Sequence, residues 1–270
     1  MEREQIFNTI NVSYTDRGTG DAIVLLHGYL ESKEIWDPLA EALKSKFRII
    51  AVDLPGHGKS GVVSETHTME FMAGAVKAVI DSLGISKVFM TGHSLGGYVT
   101  LAFLELYPAG VAGYCLFHSH ANPDREAAIS NRKREIKVVK AGKKNLMYPD
   151  NVTRMFAKEN LPGMGKALER SKKIASATPA DGIVSVLNGM IIRPSRVSLV
   201  EKGERPLLWI LGRKDQYFSP ETATSGVRLP RNAKVVILEN SGHLGFVEET
   251  DMSAEIISDF ASSVFKNDKQ

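Results

Sequence analysis

Cysteine is almost absent from this chain: one residue in 270, Cys115. No internal disulfide can form. The residue lies in the apolar run Val111–Phe117 and reads as a small core side chain. Long apolar runs are missing too. No stretch approaches the roughly 18 or more unbroken apolar residues that a spanning helix requires, so no membrane span is expected. The first residues, Met1-Glu2-Arg3-Glu4-Gln5, are charged and do not form the apolar core of a secretion signal. With the lone cysteine, this leads to the expectation of a reducing, cytoplasmic setting. Charge of one sign is also scarce. A formal net charge of +3 is too mild to mark a nucleic-acid-binding surface. Metal-ligand spacing is equally thin. His118 and His120 stand two apart, but no cysteine or carboxylate cluster accompanies them. Neither a metal nor an organic cofactor is expected.

What is present is ordinary in bulk and specific in pattern. Hydrophobic residues make up 43% and charged residues 24% of the chain, as in a typical globular protein. Short apolar runs alternate with amphipathic stretches. Residues 6–14 alternate like a strand. Ala22–Leu26 is fully apolar, as a buried parallel strand would be, and 47–52 is similar. Residues 34–44 and 68–83 carry apolar side chains at helical spacing, and Gly84 stops the second. From 121 to about 200 the rhythm breaks into basic amphipathic patterns without a convincing buried strand. It resumes with strands near 206–211 and 234–238 and a last helix over 252–265. Strand–helix alternation predicts an α/β fold with a mostly parallel sheet covered on both faces. The interruption predicts a helical lid. The expected division is a core of 1–120 and 201–270, with 121–200 inserted as the lid.

The sharpest local signal is Gly92-His93-Ser94-Leu95-Gly96, followed by Gly97. It reads G-x-S-x-G directly after the apolar run ending at Thr91, and a helical pattern follows. In such a strand–turn–helix elbow the serine backbone is strained and its hydroxyl stands clear of the sheet. Side chains at the flanking glycines would collide with neighbouring backbone. A serine hydroxyl is a poor nucleophile at neutral pH. It needs a base to take its proton, and the base needs an orienting carboxylate. Both should follow other strands of the same sheet. Asp215 does, through Gly212-Arg213-Lys214, and His243 does, through Glu239-Asn240-Ser241-Gly242. The order Ser94, Asp215, His243 is the order expected for this elbow. Asp124 is a rival for the orienting acid.

These motifs, with His27-Gly28 after the first core strand and Asp53-Leu54-Pro55-Gly56-His57-Gly58-Lys59-Ser60 after the next, resemble the α/β-hydrolases. The resemblance covers nearly the whole chain. It is to the lidded group that includes carboxylesterases, enol-lactonases and carbon–carbon bond hydrolases. It implies the α/β-hydrolase fold, with its lid at 121–200. It also implies an oxyanion hole made by the backbone N–H groups of Tyr29 and Leu95. The expected activity is hydrolysis of a small carboxylic ester through an acyl-enzyme. Diketone or enol-lactone cleavage is the neighbouring reading, and a non-catalytic ligand-binding receptor is the reading of a different class. Epoxide hydrolysis and dehalogenation are disfavoured, because those relatives carry aspartate where Ser94 stands.

Gly56, Gly58 and Gly61 also fit a dinucleotide fingerprint, but a proline sits inside the turn and no helix start follows. His27, His57 and His93 read as structural. The residues expected to line the substrate pocket are Tyr29, His118, Tyr148, Phe156 and Leu244. Residues 122–175 hold 14 lysines and arginines against 6 acidic residues. A solvated helical face is the plain reading of that run. Attraction of an anionic small-molecule substrate is the functional one.

Overall fold

Fully apolar strands can be buried only where both faces of a sheet are covered, a condition that parallel sheets meet. The computed structural model describes residues 2–269. Its strands are β1 Glu2–Phe7, β2 Ile10–Arg17, β3 Ala22–Leu26, β4 Arg48–Val52, β5 Val88–His93, β6 Val111–Phe117, β7 Leu207–Gly212 and β8 Ala233–Leu238. They form one sheet in the order β1-β2-β4-β3-β5-β6-β7-β8. From β4 to β8 neighbouring strands pair parallel, while β1 and β2 form an antiparallel hairpin that joins at β4. Every residue of β3, β5, β6 and β7 is buried.

The helices are α1 Asp37–Leu43, α2 Met69–Ser82, α3 Leu95–Leu106, α4 Glu126–Lys140, α5 Tyr148–Thr153, α6 Gly165–Ala177, α7 Ala180–Ile191, α8 Val197–Lys202, α9 Pro220–Thr224, α10 Gly245–Glu248 and α11 Thr250–Asp268. The second starts where its chemistry says it should. Thr68 caps it by accepting the Phe71 N–H at 3.1 Å. Helices α4 to α8 all fall between β6 and β7. None of the helices among the described residues is long and apolar enough to cross a membrane.

Two departures from the sequence expectation have local causes. The alternating run at 6–14 is not one strand. Asn8 takes a φ of 53°, a left-handed conformation asparagine tolerates, and the chain folds back there from β1 into β2. The helical pattern at 34–44 opens as a tight turn over Lys33–Trp36 before α1 begins. Pro38 follows in the first turn of α1, where its missing N–H costs nothing.

Because six strands point the same way, their carboxyl ends share one edge of the sheet. Loops leaving β3, β5, β6, β7 and β8 there carry Tyr29, Ser94, His120, Asp215 and His243.

Candidate active site

Ser94 follows β5 and immediately precedes α3, with φ 48° and ψ −111°. That conformation is strained for any residue with a side chain. The surrounding glycines permit it. A Cβ on Gly92 would lie 2.3 Å from the Gly96 carbonyl oxygen, and one on Gly96 would lie 2.2 Å from that of Leu26. The turn closes on the Ser94 carbonyl, which accepts the Gly97 N–H at 3.0 Å and the Ser119 hydroxyl at 2.8 Å.

Asp215 and His243 meet although 28 residues separate them. His243 Nδ1 donates to Asp215 Oδ2 at 2.7 Å. The other carboxylate oxygen accepts the Tyr217 N–H at 2.7 Å and the Phe218 N–H at 3.3 Å. Burial alone would raise the Asp215 pKa. The adjacent His243 and the hydrogen bonds to the carboxylate outweigh it and hold the group well below the usual range. Asp215 is therefore ionised and acceptor-only. A proton of His243 therefore sits on Nδ1, which leaves Nε2 as the ring nitrogen without a protein partner among the described residues. The Tyr217 and Phe218 rings flank that imidazole, with centroids at 4.9 and 5.1 Å. Asp124 is elsewhere engaged, pairing with Arg132 at 2.5 Å and Arg193 at 2.7 Å. Ser94 Oγ makes no hydrogen bond to His243 among the described residues, although both line one cavity. Such contacts are often long before substrate binds.

The N–H of Leu95, first residue of α3, and the N–H of Tyr29 have no protein acceptor among the described residues. Both neighbours of Tyr29 do. The Gly28 N–H goes to Glu31 Oε2 at 2.6 Å and the Leu30 N–H to His57 Nε2 at 3.3 Å.

The cavity measures about 420 Å³. Tyr29, Leu30, Ser94 and His243 line it together with Tyr98, His120, Met155, Met190, Tyr217 and Phe218. One side is α4, which presents Ala127, Ala128, Asn131, Arg132 and Glu135. Burial raises the pKa of Glu135, and its carboxylate accepts the Tyr29 hydroxyl at 3.3 Å.

Of the expected lining residues, only Tyr29 is on this wall. His118 is not. It leaves β6 with φ 44°, which turns its ring beneath Asp215, where Nδ1 accepts the Gly212 N–H at 3.0 Å. Burial lowers its pKa to about 4, so the ring is neutral near pH 7. That Nδ1 lies 3.4 Å from Asp215 Oδ2 but carries no proton to give it. Phe156 and Leu244 are wholly buried in the core, and Tyr148 packs against it. Asn151, on the next turn of α5, reaches the cavity in place of Tyr148. The sequence reading missed Tyr217 and Phe218, which sit just beyond Asp215, and the α4 face. A signal for that face existed, since 127, 128, 131, 132 and 135 share one side of a helix.

His118, Asp215 and His243 bring three ligand-type atoms within 4.8 Å of one another. The lone pair of His118 Nδ1 is already taken by Gly212, and Asp215 by His243, so this donor set does not fit a cation. The glycine turn at 56–61 is likewise filled from within. Asp53 accepts from the Lys33 N–H, the Lys33 ammonium and the Lys59 N–H at 2.7, 2.6 and 2.9 Å. An anion would have to displace that carboxylate. His27 and His57 tie loops together: His27 Nε2 accepts the Leu54 N–H at 2.9 Å.

Three comparisons bear on this geometry. An esterase from Thermogutta terrifontis, solved with malate bound, superposes with a TM-score of 0.92 at 26% identity, covering 98% of this chain and 99% of that one. The enol-lactonase from Burkholderia xenovorans LB400 superposes with a TM-score of 0.88 at 19% identity, covering 96% and 100%, which speaks to the fold alone. A 2-hydroxy-6-oxononadienedioate/2-hydroxy-6-oxononatrienedioate hydrolase of Escherichia coli (strain K12) is 36% identical over 117 residues, 40% of each chain. The family model described as the alpha/beta hydrolase fold matches residues 21–250. The chain belongs to the α/β-hydrolase fold family, and it is a hydrolase.

Proposed function

We propose that the protein is a serine hydrolase that cleaves a small carboxylic ester through an acyl-enzyme. The observation that carries the reading is the 2.7 Å hydrogen bond from His243 Nδ1 to the buried, ionised Asp215, on the same cavity as the strained Ser94. Ser94 Oγ attacks the acyl carbon and its proton passes to His243 Nε2. Asp215 stabilises the imidazolium that forms. The Leu95 and Tyr29 N–H groups receive the negative oxygen of the tetrahedral intermediate, each donor being worth about 2.7–4 kcal/mol to the transition state. His243 then returns the proton to the leaving oxygen. Water enters, gives a proton to the same nitrogen and attacks the acyl carbon; as the acid departs, His243 returns that proton to Ser94 Oγ and the free enzyme is restored. Residues 121–200 act as the lid over a core of 1–120 and 201–270.

The wall of mixed sign, with Arg125 and Arg132 beside Asp124 and Glu135, suits a substrate with a polar end. A second reading, carbon–carbon or enol-lactone hydrolysis, uses the same three residues. The 36% identity to the Escherichia coli hydrolase over 117 residues favours it as the runner-up. The intact elbow and the paired Asp215 and His243 argue against a receptor that only binds.

Two measurements test the mechanism together. A fluorophosphonate should label Ser94, and Ser94→Ala should lose short p-nitrophenyl ester hydrolysis by roughly 10³-fold or more. Unchanged hydrolysis in that variant would show the mechanism to be wrong.

A further inference from the structure

The residue before the nucleophile is doing something the mechanism above does not use. His93 is fully buried, and its ring reaches two acceptors at once. Nε2 lies 2.8 Å from the backbone carbonyl oxygen of His243, and Nδ1 lies 3.0 Å from Glu31 Oε2. A carbonyl oxygen can only accept, so Nε2 carries a proton. A neutral ring would then aim the bare lone pair of Nδ1 at a carboxylate oxygen. Two lone pairs cannot face each other at 3.0 Å, so a proton lies between them. Glu31 Oε2 also accepts the Gly28 N–H at 2.6 Å, while Oε1 is buried with no partner among the described residues. Burial would raise the Glu31 pKa, but the adjacent His93 ring and the Gly28 N–H outweigh it and hold the group below the usual carboxylate range, so Glu31 is the carboxylate and the shared proton lies on His93.

The surroundings agree. A Cβ on Gly28 would stand 2.6 Å from His93 Nδ1 and 3.0 Å from each Glu31 oxygen, so the glycine leaves room for the pair. The titratable groups packed round the ring are His27 from the loop after β3, His118 from the end of β6 and His243 from the loop after β8. Trp36 and Phe246 close the rest with aromatic edges. Glu31 is the one carboxylate that hydrogen-bonds the His93 ring among the described residues.

We propose that Glu31 and His93 form a buried carboxylate–imidazolium pair that positions the catalytic loops relative to one another. The pair joins three loops from three strands. Glu31 holds the Gly28 N–H and so turns the next amide, that of Tyr29, toward the oxyanion. His93 is covalently next to Ser94. Its other N–H holds the carbonyl of His243. One charged pair thus fixes the nucleophile, one oxyanion donor and the general base together. His93 and Glu31 are positioning residues that touch no substrate. The inference about rate rests on the serine-hydrolase reading, whereas the protonation state does not.

The test is histidine ¹⁵N NMR on the whole protein, joined to kinetics of Glu31→Gln. In the native protein near pH 8, the two acceptors at 2.8 and 3.0 Å should keep both His93 nitrogens protonated. A singly protonated His93 there would overturn the pair. In Glu31→Gln the counter-charge is gone and the shape kept. The ring should become neutral, lose one of its two contacts, and lower kcat by about 10- to 100-fold with little change in KM, as a slightly displaced catalytic group does. An unaltered kcat would remove the positioning role. Should the variant not fold, the native spectrum still decides the pair. If fluorophosphonate fails to label native Ser94, the hydrolase reading falls while the His93 spectrum remains its own answer.

Discussion

Asp215 and Asp124 separate two ways of using a buried carboxylate. Asp124 sits between Arg132 and Arg193 and neutralises charge. Asp215 accepts two backbone N–H groups and the His243 ring, and orients that ring. Asparagine at 215 could offer its amide to Nδ1 and force the proton onto Nε2, the nitrogen that accepts from Ser94 in the proposed mechanism. Asp215→Asn should therefore lower kcat by roughly 10³- to 10⁴-fold, while Asp124→Asn should lower it far less. Ester hydrolysis by the two variants checks this, and equal losses would return Asp124 to contention. At this scale the sequence located the loops on which the three candidate residues lie, because their signal is local. Ser94, Asp215 and His243 each sit in a short motif after a strand. It was read poorly where a side chain's direction depends on one torsion angle. His118 was expected in the cavity, and its φ of 44° sends the ring under Asp215. Phe156 and Leu244 occupy the neighbourhood expected of them but turn into the core.

Among the elements, α4 joins the two readings of the basic run at 122–175. Lys133, Arg134, Lys137 and Lys140 are exposed, which is the solvated face that composition alone suggests. Arg132 and Glu135 turn the other way, onto the cavity. Helical period was legible, but which face meets the core was not, because α4 is polar on both sides and buries only Val139. The exposed cations bias the approach of an anion through water, and salt screens such fields over about 8–10 Å at ordinary ionic strength. We expect kcat/KM for a carboxylate-bearing ester to fall with added salt more steeply than for a neutral ester of equal size. Parallel titrations with sodium chloride measure this, and matching slopes would contradict it. The same segment is tied firmly to the site. The His243 N–H donates to the Met155 carbonyl at 2.7 Å, and Glu248 accepts the Ala157 and Gly242 N–H groups at 2.8 Å each. A change that loosens 121–200 thus reaches His243, the proposed base, through one hydrogen bond.

The whole molecule carries an acid liability that follows from how it is built. Parallel strands end in loops on one edge, and histidines buried there bind those loops as neutral acceptors. Five of the seven histidines, His27, His57, His67, His118 and His120, have pKa values pushed down, in each case chiefly by burial. His118 falls to about 4 and His120 to about 3. The alternation of strands and helices was legible in the sequence, but this burial was not, since it depends on contacts between distant loops such as His27 with Leu54. The sign is fixed by proton binding. Below about pH 6.5 the unfolded chain takes up protons that the folded rings refuse, so stability is complete above that value and declines as pH falls toward the folded values. Glu135 and Glu248, whose pKa values burial raises, act in the opposite direction. They are two against five, and they begin to take up protons in the folded state only as pH approaches their own raised values. One pH unit below 6.5, His118 and His120 together cost about 2–3 kcal/mol. The urea midpoint at about pH 5.5 should accordingly lie clearly below that at about pH 7.5, with the slope of the transition unchanged. Measured unfolding curves at the two values decide it. A midpoint equal or higher at the lower pH would mean that these rings are charged in the folded protein, and that the loops are not held by neutral histidines.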